Sequence, residues 1–353
     1  MNGRFVGVDL LRSIILIFGP TFHASMLMDG AFGFDGYLLQ SPLVRGVLQA
    51  TNPFRMDLFF LISGFFSSLV ISRKGGEYFI QGRIKKIVYP TIFSILTVVP
   101  ITFFLIYFIQ GEHSVEYNLS YRHVWFLVTL SIISLLVCLA PYFFYNIANS
   151  ITRRMQSFGF FYTIIFFCSI TTFFVAMSMF IGRLFSFSEI TRYVNVLLQF
   201  SSSIGCFGFF FVGMCVFFLN KKVNAKIILF FAFAFLLWYV TKCFVYPDYK
   251  FFFVATKPAI SLLMSFSIFS AFLNMNINSS KIITSVSESA LVFYLIHLPI
   301  LIGVSAIWFH FTKSDSVILF SLVVIPLNLI ITYLMSRYII KVFFIRRVLG
   351  ISC

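Results

Sequence analysis

His23 lies eleven positions after Arg12 in an otherwise almost wholly apolar opening run, and Asp9 stands three positions before the arginine. In a helix, eleven residues make close to three full turns. The guanidinium and the imidazole therefore share one stripe, roughly 16 Å apart along the axis. Gly19 falls on the same stripe and, having no side chain, leaves room there for a ligand. Ionisable groups inside a bilayer are costly and mark functional sites by default. An imidazole can take a proton from a hydroxyl or carry an acyl group on nitrogen, and a guanidinium recognises phosphate. The bland alternative has Arg12 snorkelling to the headgroups and His23 simply bonded to a neighbouring helix. Two such residues on one stripe, with Asp9 beside them, favour function.

Other candidates follow along the chain. Asp57 lies in the run Phe54-Arg55-Met56-Asp57-Leu58-Phe59-Phe60-Leu61-Ile62-Ser63-Gly64-Phe65, at a depth expected to match that of His23. A carboxylate there could orient the imidazole, or it could pair with Arg55 or favour a helix start. Ser63, Gly64 and Ser67 form a small-residue patch that suits close helix packing better than nucleophilic chemistry. His123 precedes Trp125 at the outer start of a span and is either interfacial or part of the site. His297, in Tyr294-Leu295-Ile296-His297, is too deep to be interfacial, so it is an interhelical bond or a site residue. Glu288 lies nine residues earlier, on the opposite helix face. Arg83, Lys85 and Lys86 join Arg12 near the cytoplasmic side, where a polyanionic donor such as acyl-coenzyme A would arrive, although a basic loop can also be a topology determinant alone. The six cysteines show no metal or disulfide spacing.

The elements that must hold these residues are membrane spans. Of 353 residues, 60% are hydrophobic and 10% charged, with a mean hydropathy of +1.00, which excludes a soluble domain. Spans are expected at 8–28, 54–72, 88–110, 124–148, 158–181, 194–219, 227–246, 255–273, 285–309 and 317–339. The whole chain, 1–353, is thus expected to be one all-α polytopic bundle of about ten helices. A net charge of +15 raises nucleic acid as a partner, but the basic residues sit in short clusters between apolar runs, the footprint of membrane orientation. One set of joints, from Arg4 through Arg73, Arg153 and Lys221 to Arg347, holds 16 basic residues against Glu77 alone. The other, from Asp29 and Arg45 through Glu112 and Asp248 to Asp315, holds 7 of each sign. Both termini are therefore expected in the cytoplasm, with the first span an uncleaved anchor.

These pieces together resemble the acyltransferase-3 family of integral membrane acyltransferases. The resemblance rests on Val8-Asp9-Leu10-Leu11-Arg12 followed by ten residues and His23, on the Asp57–Phe65 run, and on Tyr294-Leu295-Ile296-His297. Phe54-Arg55-Met56, Phe66-Ser67 and His123-Val124-Trp125-Phe126-Leu127 look most like the branch that succinylates osmoregulated periplasmic glucans. The resemblance covers nearly the whole chain. It implies a ten-helix bundle in the cell inner (cytoplasmic) membrane, acyl-coenzyme A as co-substrate without a permanently bound cofactor, and a periplasmic or cell-surface glycan as acceptor. By that similarity His23 is the catalytic histidine, with Asp57 and His297 beside it, and Arg12 is its motif partner. Donor binding falls to Arg12, Arg83 and Lys86, with Asp9, Gly19, Ser63, His123 and Glu288 in support. The family's Arg-x-x-Arg corresponds to Arg83-Ile84-Lys85-Lys86, where the final lysine keeps the charge and loses the bidentate fork. A transporter or flippase for a glycan or lipid is the competing class, but the chain shows no internal symmetry of the kind many transporters carry.

Overall fold

Away from water, a backbone must satisfy its own polar groups, and an apolar run of about 20 residues does so as a helix. In the computed structural model, which describes residues 5–34, 41–110, 121–219, 233–240, 250–275, 281–312 and 314–350, helix is the only regular structure. Among the described residues, nine helices are long and apolar enough to cross a membrane. The expected span 227–246 is described over 233–240 alone. Arg4, Asp35, Glu112, Glu116, Lys221, Lys222, Lys226, Cys243, Asp248, Lys313 and Cys353 lie outside the described residues.

In chain order the helices are α1 (Val6–Met28), α2 (Pro42–Gln49), α3 (Asn52–Lys74), α4 (Gly76–Arg83), α5 (Tyr89–Leu96), α6 (Val98–Gln110), α7 (Trp125–Leu139) and α8 (Pro141–Phe158). They continue with α9 (Phe160–Leu184), α10 (Glu189–Leu198), α11 (Phe200–Val216), α12 (233–240), α13 (Lys250–Asn274), α14 (Lys281–Thr312), α15 (Val317–Ile339) and α16 (Phe343–Val348).

Three expected boundaries are corrected, each for a local reason. The helix expected over 124–148 stops at Leu139, because Ala140 is forced out of helical geometry (φ −149°, ψ 67°) by the following Pro141, which opens α8. The helix expected over 194–219 divides at Gln199, which adopts a left-handed conformation (φ 46°) between α10 and α11. The helix expected from 88 is preceded by α4 and a π-helical turn, Ile84–Val88. Pro90 is harmless there because it falls in the first turn of α5, where its missing N–H has no partner to lose.

The chain forms two compact units interleaved in sequence. The first comprises Met1–Asn52, Lys85–Trp125 and Ile277–Cys353, and the second Pro53–Ile84 and Phe126–Asn276. In the first unit α14 packs against α1, α15 and α6. Their apolar faces meet in a core that includes Leu27, Phe32, Leu298, Leu301, Phe309 and Phe320, and the last two phenylalanine rings stack at 5.5 Å.

In the second unit α11 packs on α9 and α8, and α13 packs on α9. Gly64 of α3 lies against the Phe210 carbonyl, and Gly213 of α11 against the Leu61 carbonyl, so closely that a Cβ at either would collide with backbone. This reciprocal contact is the close packing expected of the small-residue patch. Without a hydrophobic force between helices in lipid, such approach is what holds them.

Candidate active site

Helix α1 is continuous, so Arg12, Gly19 and His23 keep one stripe, within roughly 40° of one another at 100° per residue. The upper part of that stripe faces α14. A Cβ built on Gly19 would stand 3.6 Å from His297 Nε2. The His23 and His297 ring centroids are 5.3 Å apart. His123 completes the group, 5.1 Å from His297 and 6.3 Å from His23. His123 and His297 are buried, at 3% and 1% exposure, whereas His23 and Gly19 are half-buried. Three imidazoles from distant parts of the sequence thus gather within the first unit.

Two of the rings are pinned by carbonyl groups, and this fixes where their protons lie. His297 Nδ1 donates to the Tyr294 carbonyl one turn back (2.6 Å), and His123 Nε2 donates to the Leu295 carbonyl (2.8 Å). A carbonyl only accepts, so in the neutral rings the lone pair falls on His297 Nε2 and on His123 Nδ1. The latter is buried and has no hydrogen-bond partner among the described residues. The Tyr294 hydroxyl in turn donates to the His123 carbonyl. One turn of α14 thereby holds both buried imidazoles. Among the described residues no three His, Cys, Asp or Glu side chains converge as metal ligands would.

The backbone is strained on both flanks of this group. Three non-glycine residues have positive φ among those described, and two of them border the histidines. Phe32 (φ 64°) places its ring 6.4 Å from His23, and Arg122 (φ 47°) immediately precedes His123 and lies over the Phe103 ring at 4.9 Å. Left-handed geometry is unfavourable for side chains of this size and concentrates where surrounding structure must aim a residue.

The other expected site residues have different settings. Asp9 acts electrostatically on Arg12, as their three-residue spacing suggests. Asp57, expected to orient His23, belongs to the second unit, where its carboxylate accepts from Ser261 at 2.5 Å and Lys257 is near enough to act on it. Arg83, also in the second unit, donates to Ser63 Oγ (2.9 Å), the Ser63 carbonyl (3.0 Å) and Ser67 Oγ (2.5 Å). Ser63 is thus an acceptor for Arg83, and the packing role falls to Gly64. Lys85 and Lys86 are exposed on the π-helical turn. Glu288 forms a long ion pair with Arg337 of α15 (3.9 Å), both half-exposed.

Sequence reasoning missed the holding parts. Tyr294 and Leu295 stood inside a recognised motif, but the roles of their hydroxyl and carbonyl groups have no sequence signal. Phe32 and Ser261 had no signal either.

A family model described as an acyltransferase domain matches residues 5–337. No curated protein and no solved structure matches the chain.

Proposed function

The chain belongs to the acyltransferase-3 family, and from that membership we propose that this multi-pass membrane acyltransferase moves a succinyl or acetyl group from cytoplasmic acyl-coenzyme A to a hydroxyl of a periplasmic or cell-surface glycan, working in the inner membrane with both termini cytoplasmic. The observation that carries the proposal is the half-buried His23 backed, within 5.3 and 6.3 Å, by two buried imidazoles of fixed tautomer. Acyl transfer to an alcohol needs a nitrogen lone pair, either to take the hydroxyl proton or to bear the acyl group in passing, and His23 is the least buried of the three rings.

Arg12, three turns below on the same stripe, and the exposed Lys86 are the cations assigned to the phosphates of the donor. Arg83 is assigned a supporting part, since it is already tied to Ser63 and Ser67. The succinyl choice and the glucan acceptor rest on the motif resemblance around Asp57 and His123.

Mass spectrometry of envelope glycans from a deletion strain provides the test. Complementation with the wild-type gene restores ester-linked acyl groups, and complementation with His23→Ala does not. Glycans acylated to the wild-type level by the His23→Ala protein would refute the assignment.

A further inference from the structure

Among the basic residues of the π-helical turn and its flank, Lys85 is given no part in holding the donor, and it is where the segment 341–350 comes to rest. Helix α16 closes at Gly350, whose left-handed conformation (φ 62°) lets its N–H return to the Arg347 carbonyl at 3.2 Å. A Cβ there would stand 2.2 Å from the Lys85 carbonyl oxygen and 3.1 Å from the Lys86 Cα, so only glycine fits on both counts. Leu349 beside it is buried, and α16 packs on α5. The contact lies wholly within the first unit. It joins two basic segments, one with Lys85 and Lys86 and the other with Lys341, Arg346 and Arg347, and neither 84–96 nor 340–350 contains an acid. Lys85, Lys341 and Arg347 are exposed. Like charges gathered without a counter-charge repel one another, and a bound anion relieves that cost.

Depth decides which anion. Tyr89 opens α5 one turn after Lys85, and Tyr338 lies in the last turn of α15, one turn before Lys341. The two rings are 51% and 73% exposed, and a turn deeper along each span Ile92 and Leu334 are exposed as well. Exposed apolar side chains on a spanning helix face hydrocarbon, and tyrosines at the end of a span sit at headgroup level. The cations one turn further out therefore stand at the level of the lipid phosphates. We propose that Lys85 and Arg347, with Lys341 on the same segment as the arginine, hold the headgroup of an anionic phospholipid, and that the contact of Gly350 with the Lys85 carbonyl is what forms the site. The planar guanidinium can grip two phosphate oxygens, while the ammonium supplies a point charge. Lys86 keeps its assignment to the donor.

Native mass spectrometry of the full-length protein, released from detergent micelles doped with phosphatidylglycerol or with phosphatidylcholine of the same chains, tests the site. Wild type should bind its first phosphatidylglycerol with an apparent Kd at least roughly fivefold below that for phosphatidylcholine. Arg347→Gln and Lys85→Gln, both at exposed positions, should each weaken phosphatidylglycerol about fivefold, the effect of one cation at an anionic surface. Both should leave phosphatidylcholine within about twofold. Gly350→Ala, with every cation intact, should show the same loss, because its collision with the Lys85 carbonyl parts the two segments. Phosphatidylglycerol bound equally by wild type and both glutamine variants would overturn the proposal, and so would a loss in those variants that Gly350→Ala does not share. A final arm separates lipid phosphate from soluble phosphate. Inorganic phosphate or acetyl-coenzyme A in excess should leave phosphatidylglycerol bound. Displacement of the lipid by either would give these cations to a soluble phosphate and overturn the lipid assignment, while leaving the proposed acyl transfer untouched.

Discussion

Two buried polar clusters in this apolar chain are completed in opposite ways. In the second unit, the Arg83 guanidinium makes three hydrogen bonds to Ser63 and Ser67, and two aromatic rings, Phe79 and Phe210, flank it at 5.1 and 5.9 Å. In the first unit, His123 and His297 are pinned through their N–H edges, to carbonyls one residue apart on α14. Buried polar groups must be paired to be tolerated, and the guanidinium and imidazole N–H groups named here meet that need. The guanidinium bonds close on small side chains and fasten α4 to α3. The imidazole bonds instead set ring orientation and leave a lone pair on the opposite edge. Pinning on one side is what a proton-accepting group requires, and it distinguishes a site from a fastener more reliably than the presence of charge.

The largest effect expected from this contrast lies at His123. His123→Ala should lower kcat roughly tenfold to a hundredfold, because the turn that aims His297 loses its contact with the ring. His123→Gln, whose side-chain amide can still donate to the Leu295 carbonyl, should recover most of that loss. Rescue by glutamine marks a positioning role. Equal damage from both variants would instead place His123 Nδ1 in contact with substrate.

The opposite pattern is expected at Arg83. Arg83→Ala should destabilise the protein by about 2 kcal/mol, the scale of lost hydrogen bonds to a charged group, as read from thermal unfolding in detergent. Arg83→Lys should lie between, because it keeps the charge and loses the planar fork. The KM for acyl-coenzyme A divides the two accounts of this residue. A fastener leaves it nearly unchanged in the folded fraction, whereas a phosphate ligand raises it.

The sequence made the membrane class legible because apolar length is a one-dimensional property. It also gave the Arg12–Gly19–His23 stripe, since helical periodicity needs only residue numbers and α1 is unbroken. The breaks at Ala140 and Gln199 were not legible. The first depended on weighing Pro141 against a long apolar run, and the second on a left-handed residue that carries no glycine signature. Within the site, all three histidines were singled out, but their grouping depended on how α1, α14 and the segment before α7 pack, and no spacing along the chain encodes that. Asp57 shows the converse. Its helix could be read from the sequence, but Ser261, 204 residues away, could not be paired with it.

The smallest effect is expected at Glu288, and it sharpens the comparison from the other end. This carboxylate lies on the same helix as His297, yet its partner is Arg337 at 3.9 Å, with side-chain exposures of 56% for the glutamate and 37% for the arginine. At that distance and exposure, solvent screening and the cost of ordering two long side chains leave an ion pair worth well under about 1 kcal/mol. Arg337 also reaches the Ser285 carbonyl at 3.5 Å, and Ser285 shares a hydrogen bond with Tyr333 at 3.0 Å, so the α14–α15 contact has other ties. Glu288→Gln should therefore shift stability by less than about 0.5 kcal/mol and leave transfer within about twofold of wild type. A collapse of transfer in folded Glu288→Gln protein would show that a half-exposed, loosely paired carboxylate does chemistry here, and the distinction between one-sided pinning and mutual satisfaction would no longer identify the site.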